Sequence, residues 1–428
     1  MKRPLLVAGV CASLVVLALL SWRLTLSPGT PSGRGPLAHE AYVWQRAWTG
    51  PVRDAVRTHA SAFRQLCCLA AEVTWSNGLP QPAVVSLNYA AIRQTGRPVG
   101  LALRVAPFPG PFAADDEAAR RLVELGRAVV ARARSNGVEV AELQVDFDCP
   151  TAKLDGYRLW IEGLARRLAP VPVTITALPS WLRAPAFGRL ARSAPRYVLQ
   201  VHGFERPADV RSALTLCDPG AARRAVSRAG ALAVPFRVAL PTYGYQVAFD
   251  ATGRYAGLAA EGPRRAWPAG TRLREVHAQP HELAGLLAGW TARRPAALAG
   301  VIWYRLPVAT DELNWRWPTL AALVAGRNPR PALRAMAQPG DLGWVEVRLV
   351  NDGEVDLHAL PAVEARWSGA APVAGRAEQG FRLVYRGAAA ARFEPGESTP
   401  RLRVGQSLVV GRLQFPTAGT VFCEVAPF

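Results

Sequence analysis

Lysine is almost missing from this chain of 428 residues. It occurs only as Lys2 and Lys153, so the formal charge of +19 is carried by arginine. The arginines are scattered over the whole length and form no long basic block. That excludes a specific nucleic-acid partner and leaves only a weak general attraction to anionic surfaces. Glycine-rich phosphate loops are missing too: no Gly-x-Gly-x-x-Gly turn follows the first strand, which argues against a nucleotide enzyme. No Gly-x-Ser-x-Gly elbow occurs, so a serine hydrolase is not expected. Metal-ligand spacing is lacking. His59, His202, His277, His281 and His358 are dispersed, and Pro280 separates the one pair with helical spacing, His277 and His281. Neither a metal nor a cofactor is expected. Cysteine is sparse: six residues without zinc spacing, which permit disulfides in an exported chain but do not demand them. Cys67 and Cys68 adjoin on a strand and so point to opposite faces.

With 50% hydrophobic and 19% charged residues, the chain has the composition of one that folds around a real core. Its length favours two folded units. Lys2 and Arg3 precede an apolar run, Leu5 to Trp22, closed by Arg23. At about 1.5 Å per helical residue the run just spans a hydrocarbon core of roughly 30 Å. No small-x-small site follows it, which favours an uncleaved anchor over a cleaved signal. Val10 before Cys11 argues against lipidation. Residues 1–26 are therefore expected to anchor or export the chain, and 27–38 to tether it. The bulk would lie at the periplasmic face of the inner membrane, or be periplasmic or secreted after cleavage. Oligomeric state is not legible.

From residue 39 short apolar runs recur at Ala41–Trp48, Gln65–Trp75, Val99–Pro107, Glu142–Cys149, Val171–Leu178, Arg196–Phe204, Phe236–Tyr243 and Gly300–Leu306. These are expected as strands. Helical periods fall between most of them: Pro51–Arg64, Asp115–Arg134, Leu154–Leu168, Pro219–Arg228, Pro280–Ala292 and Trp315–Ala325. Eight strands alternating with helices predict an α/β fold, a (β/α)8 TIM barrel over residues 39–330. From Pro331 the helical period ends, and alternating runs at Trp344–Val350, Phe381–Tyr385, Leu402–Phe415 and Thr420–Val425 predict a small all-β sandwich over 331–428.

The site of such a barrel lies at the C-terminal ends of its strands. On the fourth strand Leu143, Val145 and Phe147 share the face toward the helices; Gln144, Asp146 and Asp148 share the face toward the interior and then the mouth. Two carboxylates on one face, about 7 Å apart at Cα, are close enough to interact. Where like charges approach, one pKa rises, which suits a general acid. The structural alternative is that Arg104 on the third strand neutralises both. Around this pair the other strand ends offer Trp44, Gln45, Arg46, Glu72, Arg104 itself, Gln200, His202, Glu205, Tyr243, Tyr245, Trp303, Tyr304 and Arg305 as substrate-binding candidates. Flat rings with planar hydrogen-bonding groups suit a sugar. The long stretch from Tyr243 to His277, with a hairpin about Ala251–Thr252, is expected to shape the cleft.

The segments Ala41-Tyr42-Val43-Trp44-Gln45-Arg46, Leu143 to Pro150 and Trp303-Tyr304-Arg305-Leu306-Pro307 resemble a family of exported bacterial proteins known only as a domain of unknown function, number 3142. More distantly, the fourth strand is similar to that of chitinase-like glycoside hydrolases, which ends Asp-x-Asp-x-Glu with the Glu as acid. The resemblance implies a sugar-handling TIM barrel, but here Pro150 stands where that Glu would. It therefore leaves two expectations. In one, a glycosidase acts on an envelope or extracellular polysaccharide, with Asp148 as acid, Asp146 as helper and Glu205 or Glu72 as second carboxylate. In the other, a non-catalytic glycan-binding or envelope assembly protein uses the same cleft.

Overall fold

The computed structural model describes residues 31–114, 116–262, 265–417 and 420–426. The apolar run Leu5–Trp22, Cys11 and the first part of the tether lie outside them. Among the described residues no helix is long and apolar enough to cross a membrane.

Eight parallel strands close on themselves: β1 (Ala38–Val43), β2 (Gln65–Ser76), β3 (Val99–Val105), β4 (Val140–Phe147), β5 (Val173–Ala177), β6 (Tyr197–Gln200), β7 (Phe236–Pro241) and β8 (Leu298–Tyr304), with β8 pairing back onto β1. A helix follows each strand: α1 (Gly50–His59), α2 (Tyr89–Gln94), α3 (Glu117–Ser135), α4 (Leu154–Leu168), α5 (Pro185–Arg192), α6 (Pro219–Ala231), α7 (Pro280–Ala292) and α8 (Trp317–Val324). The architecture is the expected (β/α)8 barrel. Local signals explain the helix starts. Asp116 and Asp218 accept hydrogen bonds from the N–H groups of Ala119 and Ala221, so each side chain satisfies an otherwise orphaned donor.

Two of these helices were not expected from the sequence. α2 has only six residues, opened by Asn88, and α5 has eight, opened by Pro185. The irregular stretch between the second and third strands is a hairpin: Leu79–Val84 runs antiparallel to β2 through Asn77-Gly78, both in the left-handed region. Pro80 and Pro82 are tolerated because this is an edge strand.

The barrel interior is layered. At its base Arg237 donates to Glu142 at 2.7 and 2.9 Å and also to Glu40, while Gln65 donates to Glu142 at 3.0 Å. Above lie Tyr42, Cys67, Ala102, Val198, Ala239 and Ile302. Leu143, Val145 and Phe147 face the helix layer with Cys68. Cys67 and Cys68 thus take the opposite faces expected of them.

Within the stretch read as a tether, Ser32–Gly33 pair with Arg294–Pro295 and Leu37 is buried. The expected hairpin after β7 is present as Gly244–Phe249 and Tyr255–Ala259, and a third strand, Arg272–His277, joins it. Its inward face, Val247, Phe249 and Val276, packs on Leu216 and Tyr243.

Two antiparallel four-stranded sheets complete the described chain. One contains Leu333–Pro339, Trp344–Asn351, Ser407–Gln414 and Ala374–Ala377; the other contains Phe381–Tyr385, Ala390–Pro395, Val363–Trp367 and Val421–Val425. Val347, Leu349, Val363, Phe393 and Leu413 fill the space between them.

Candidate active site

The C-terminal ends of the strands surround a cavity of about 320 Å³. Alternation along β1 sends Tyr42, Trp44 and Arg46 inward, and β8 contributes Tyr304. Tyr304 meets Trp44 edge-on at 5.5 Å, stacks with His202 at 5.6 Å and touches Tyr243 at 5.6 Å. Tyr243 continues to Tyr245 at 5.0 Å. One continuous aromatic wall therefore lines half of the mouth.

The opposite side is charged. Arg104 on β3 lies in register with Asp146 on β4. Its two terminal nitrogens divide between the aspartates, one 2.8 Å from Asp146 and the other 2.8 Å from Asp148. Thr176 on β5 donates to the second oxygen of Asp146 at 2.7 Å. The members of the pair differ in access: the Asp146 side chain is 9% exposed and that of Asp148 39%. Burial raises the pKa of Asp146 and outweighs the opposing pull of Arg104. Beside them Glu72 on β2 takes both hydrogen bonds of the Arg46 fork, at 2.5 and 2.7 Å. On the aromatic side His202 lies 3.1 Å from the Tyr243 hydroxyl, and burial lowers its pKa to about 3, so the imidazole is neutral. Burial likewise raises the Tyr243 and Tyr304 phenols, which remain protonated donors.

The structure thus brings together Asp146, Asp148, Trp44, Arg46, Glu72, Arg104, His202, Tyr243 and Tyr304. Four candidates lie elsewhere. Trp303 is fully buried on the outer face of β8, where its indole donates to His39 at 3.1 Å. Gln45 points away from the mouth, its amide 3.4 Å from the Leu306 carbonyl. Arg305, past the end of β8, pairs with Asp311 at 2.6 Å. Glu205 is exposed beyond the lining. Tyr42, Thr176, Gln200, Ala239 and Tyr245 also line the cavity. Tyr42 carried a signal, since it alternates with Trp44. Ala239 carried none, because its role is to leave space.

The sequence profile of the family described as "Domain of unknown function (DUF3142)" matches residues 95–309, half of the chain. The chain belongs to this family. The match runs from just before β3 through β8, so it takes in Arg104, both aspartates and most of the aromatic wall, but not β1 or β2. Nothing among curated proteins matches the chain. Among solved structures, the spore cortex-lytic enzyme SleL of Bacillus megaterium is similar at 13% identity and a TM-score of 0.49, covering 69% of this chain and 75% of that one. A chitinase from Chromobacterium violaceum aligns at 14% identity and a TM-score of 0.45, covering 68% of this chain and 98% of that one. A chitinase from Bacillus thuringiensis does so at 9% identity and a TM-score of 0.45, covering 90% and 100%.

Proposed function

We propose that the barrel binds a polysaccharide of the cell envelope in this mouth and hydrolyses its glycosidic bond with the β4 aspartates. The observation that carries the reading is the position of Asp148: a carboxyl group with open access, facing a ring-walled cavity large enough for a sugar. Asp148 is the acid that meets the glycosidic oxygen. Asp146, buried and bonded to Thr176 and Arg104, is the helper that fixes the guanidinium and with it Asp148. A two-carboxylate mechanism needs a partner on another strand. Glu72 lines the cavity and Glu205 does not, so Glu72 takes that role. Trp44 and Tyr304 offer faces to the sugar's C–H groups, and the protonated phenols donate to its hydroxyls. The envelope as the place of action rests on the apolar run Leu5–Trp22.

One observation favours a second reading, a glycan-binding protein without chemistry. Asp146, Asp148 and Glu72, the carboxylates among the described lining residues, are each held by an arginine. A neighbouring cation opposes proton retention. Reducing-end release from a panel of envelope polysaccharides separates the two. Hydrolysis predicts a product from at least one of them, lost by at least a hundredfold in Asp148→Asn and in Glu72→Gln, with melting temperatures within a few degrees of the parent. Saturable glycan binding with no product from any polysaccharide would replace it with the second, and hydrolysis surviving in Asp148→Asn would overturn Asp148 as the acid.

A further inference from the structure

The end of the barrel opposite the mouth is built from the seven connections that lead from a helix back to the next strand. Taken from the last helical turn to the residue before the strand, every one of them carries arginine, and a single acid, Glu139, occurs in all of them. Arg132 and Arg134 close α3, Arg166 and Arg167 close α4, Arg228 lies in the last turn of α6 and Arg293 follows α7. All six are exposed, and none is ion-paired to a carboxylate among the described residues. A cation in a last helical turn complements the helix dipole, which accounts for part of the pattern. It does not account for Arg64, exposed and five residues beyond the end of α1. The acids gather at the other end, where Asp116, Asp155, Asp218 and Glu282 stand at the helix starts.

The same basic end receives the chain. Ser32–Gly33 pair with Arg294–Pro295, and the Gly35 N–H donates to Thr291 O at 2.8 Å, beside Arg293. In the sequence only Arg23 to Pro31 separate this point from the apolar run that ends at Trp22. Even fully extended, that stretch reaches roughly 30 Å. If the run is in a membrane, the arginine end is the part of the barrel held close to it.

We propose that this end docks on an anionic phospholipid surface, its guanidinium groups pairing with headgroup phosphates, and that the mouth is thereby turned away from the membrane. Guanidinium and phosphate match in charge and in fork geometry. Six exposed arginines on one face form a distributed contact of the kind a headgroup layer presents, without any enclosed pocket. The docking is independent of whether the mouth cuts a glycan or only binds it.

The test is flotation of the full chain with vesicles of phosphatidylcholine alone and with vesicles that also contain phosphatidylglycerol. The apolar run contributes to both compositions alike, so their ratio reports the basic end. The parent should prefer the anionic vesicles by at least tenfold at low salt, since each surface arginine contributes roughly fivefold. In about 0.5 M salt, where screening is within a few ångströms, the preference should collapse. The triple variant R166E/R167E/R293E should lower it by at least tenfold, and R166Q/R167Q/R293Q, which serves if the reversal disturbs folding, by at least fivefold. The control R183E/R211E/R254E makes the same change of net charge on mouth-side loops and should keep the tenfold ratio. A parent without the preference overturns the docking. So does a control as damaging as the basic-end variant, which would make net charge the cause. A basic-end variant that keeps its lipid preference but loses binding to an anionic polysaccharide would assign the face to a glycan instead.

Discussion

At the residue scale the site turns on one guanidinium shared by two carboxylates. Removing it leaves Asp146 buried with only Thr176 as partner, and uncompensated buried charge is costly. Arg104→Gln should therefore destabilise the fold by about 2–3 kcal/mol, less than for a sealed pair because Arg104 is partly solvated. Adding Asp146→Asn should recover much of the loss, and chemical denaturation of the single and double variants measures both. Two histidines predict the acid limb of stability. Burial lowers His202 to about 3 and His39 to about 4, so both are neutral in the folded chain. As the pH falls below 6.5, the unfolded chain takes up protons that the folded one refuses. Stability present at neutral pH should be lost at about 1 kcal/mol per pH unit for each, down toward pH 4. His202→Gln should remove its share of that slope in thermal melts between pH 6.5 and 4. Asp146 works in the opposite sense: its raised pKa lets the folded chain bind the proton more tightly, so its contribution grows as the pH falls.

Which residues were legible follows from the two-residue period of a strand. Asp146 and Asp148 share a face with Gln144, and that reading holds because hydrophobic Leu143, Val145 and Phe147 occupy the other face. The same rule excludes what residue type alone suggested. Once Trp44 faces the mouth, Gln45 cannot; once Tyr304 does, Trp303 must enter the helix layer. A tryptophan beside a tyrosine at a strand end attracts attention by chemistry, but the pleat allows only one of them inside. Tyr245 belongs to the excursion after β7, whose path over the mouth is set by tertiary packing on Leu216 and Tyr243.

At the scale of elements, long periodic segments such as α3 were legible; of the short helices α8 was, and α2 and α5 were not. α2 holds too few turns for an amphipathic stripe; α5 buries Phe187, Leu190 and Ala191 on one face, but over only eight residues opened by Pro185. The loop after β8 is held from outside. Glu261, in the β7 excursion, accepts the backbone N–H groups of Glu312, Leu313 and Asn314. Asp311 in turn binds Arg305 and the Val308 N–H. Glu261→Gln weakens charge-assisted bonds to three successive amides. Hydrogen exchange at 312–314 should speed up by at least tenfold while the β4 amides stay protected.

At the scale of the whole molecule the sandwich buttresses that same loop. Arg403, buried, donates to the Asp311 carbonyl at 2.6 Å, and Arg401 donates to the Glu312 carbonyl at 2.5 Å. Arg327 and Glu354 form a two-point pair across the junction. Arg403→Gln should lower stability by about 1–2 kcal/mol and raise exchange in 308–316, while the β4 amides stay protected. Trp367 packs against Phe415 in the sandwich core and Trp344 lies under Arg376, so these tryptophans present no shared sugar platform. The sandwich supports the barrel's mouth from behind it.

In the proposed function the β4 aspartates face a bound sugar. A crystal structure of Asp148→Asn soaked with an oligosaccharide that the parent binds tests it most directly. A sugar ring should lie within hydrogen-bond distance of residue 148, resting against Trp44 or Tyr304. A sugar seated on the sandwich or on the outer helices, with the ring-walled mouth left to water, would contradict it.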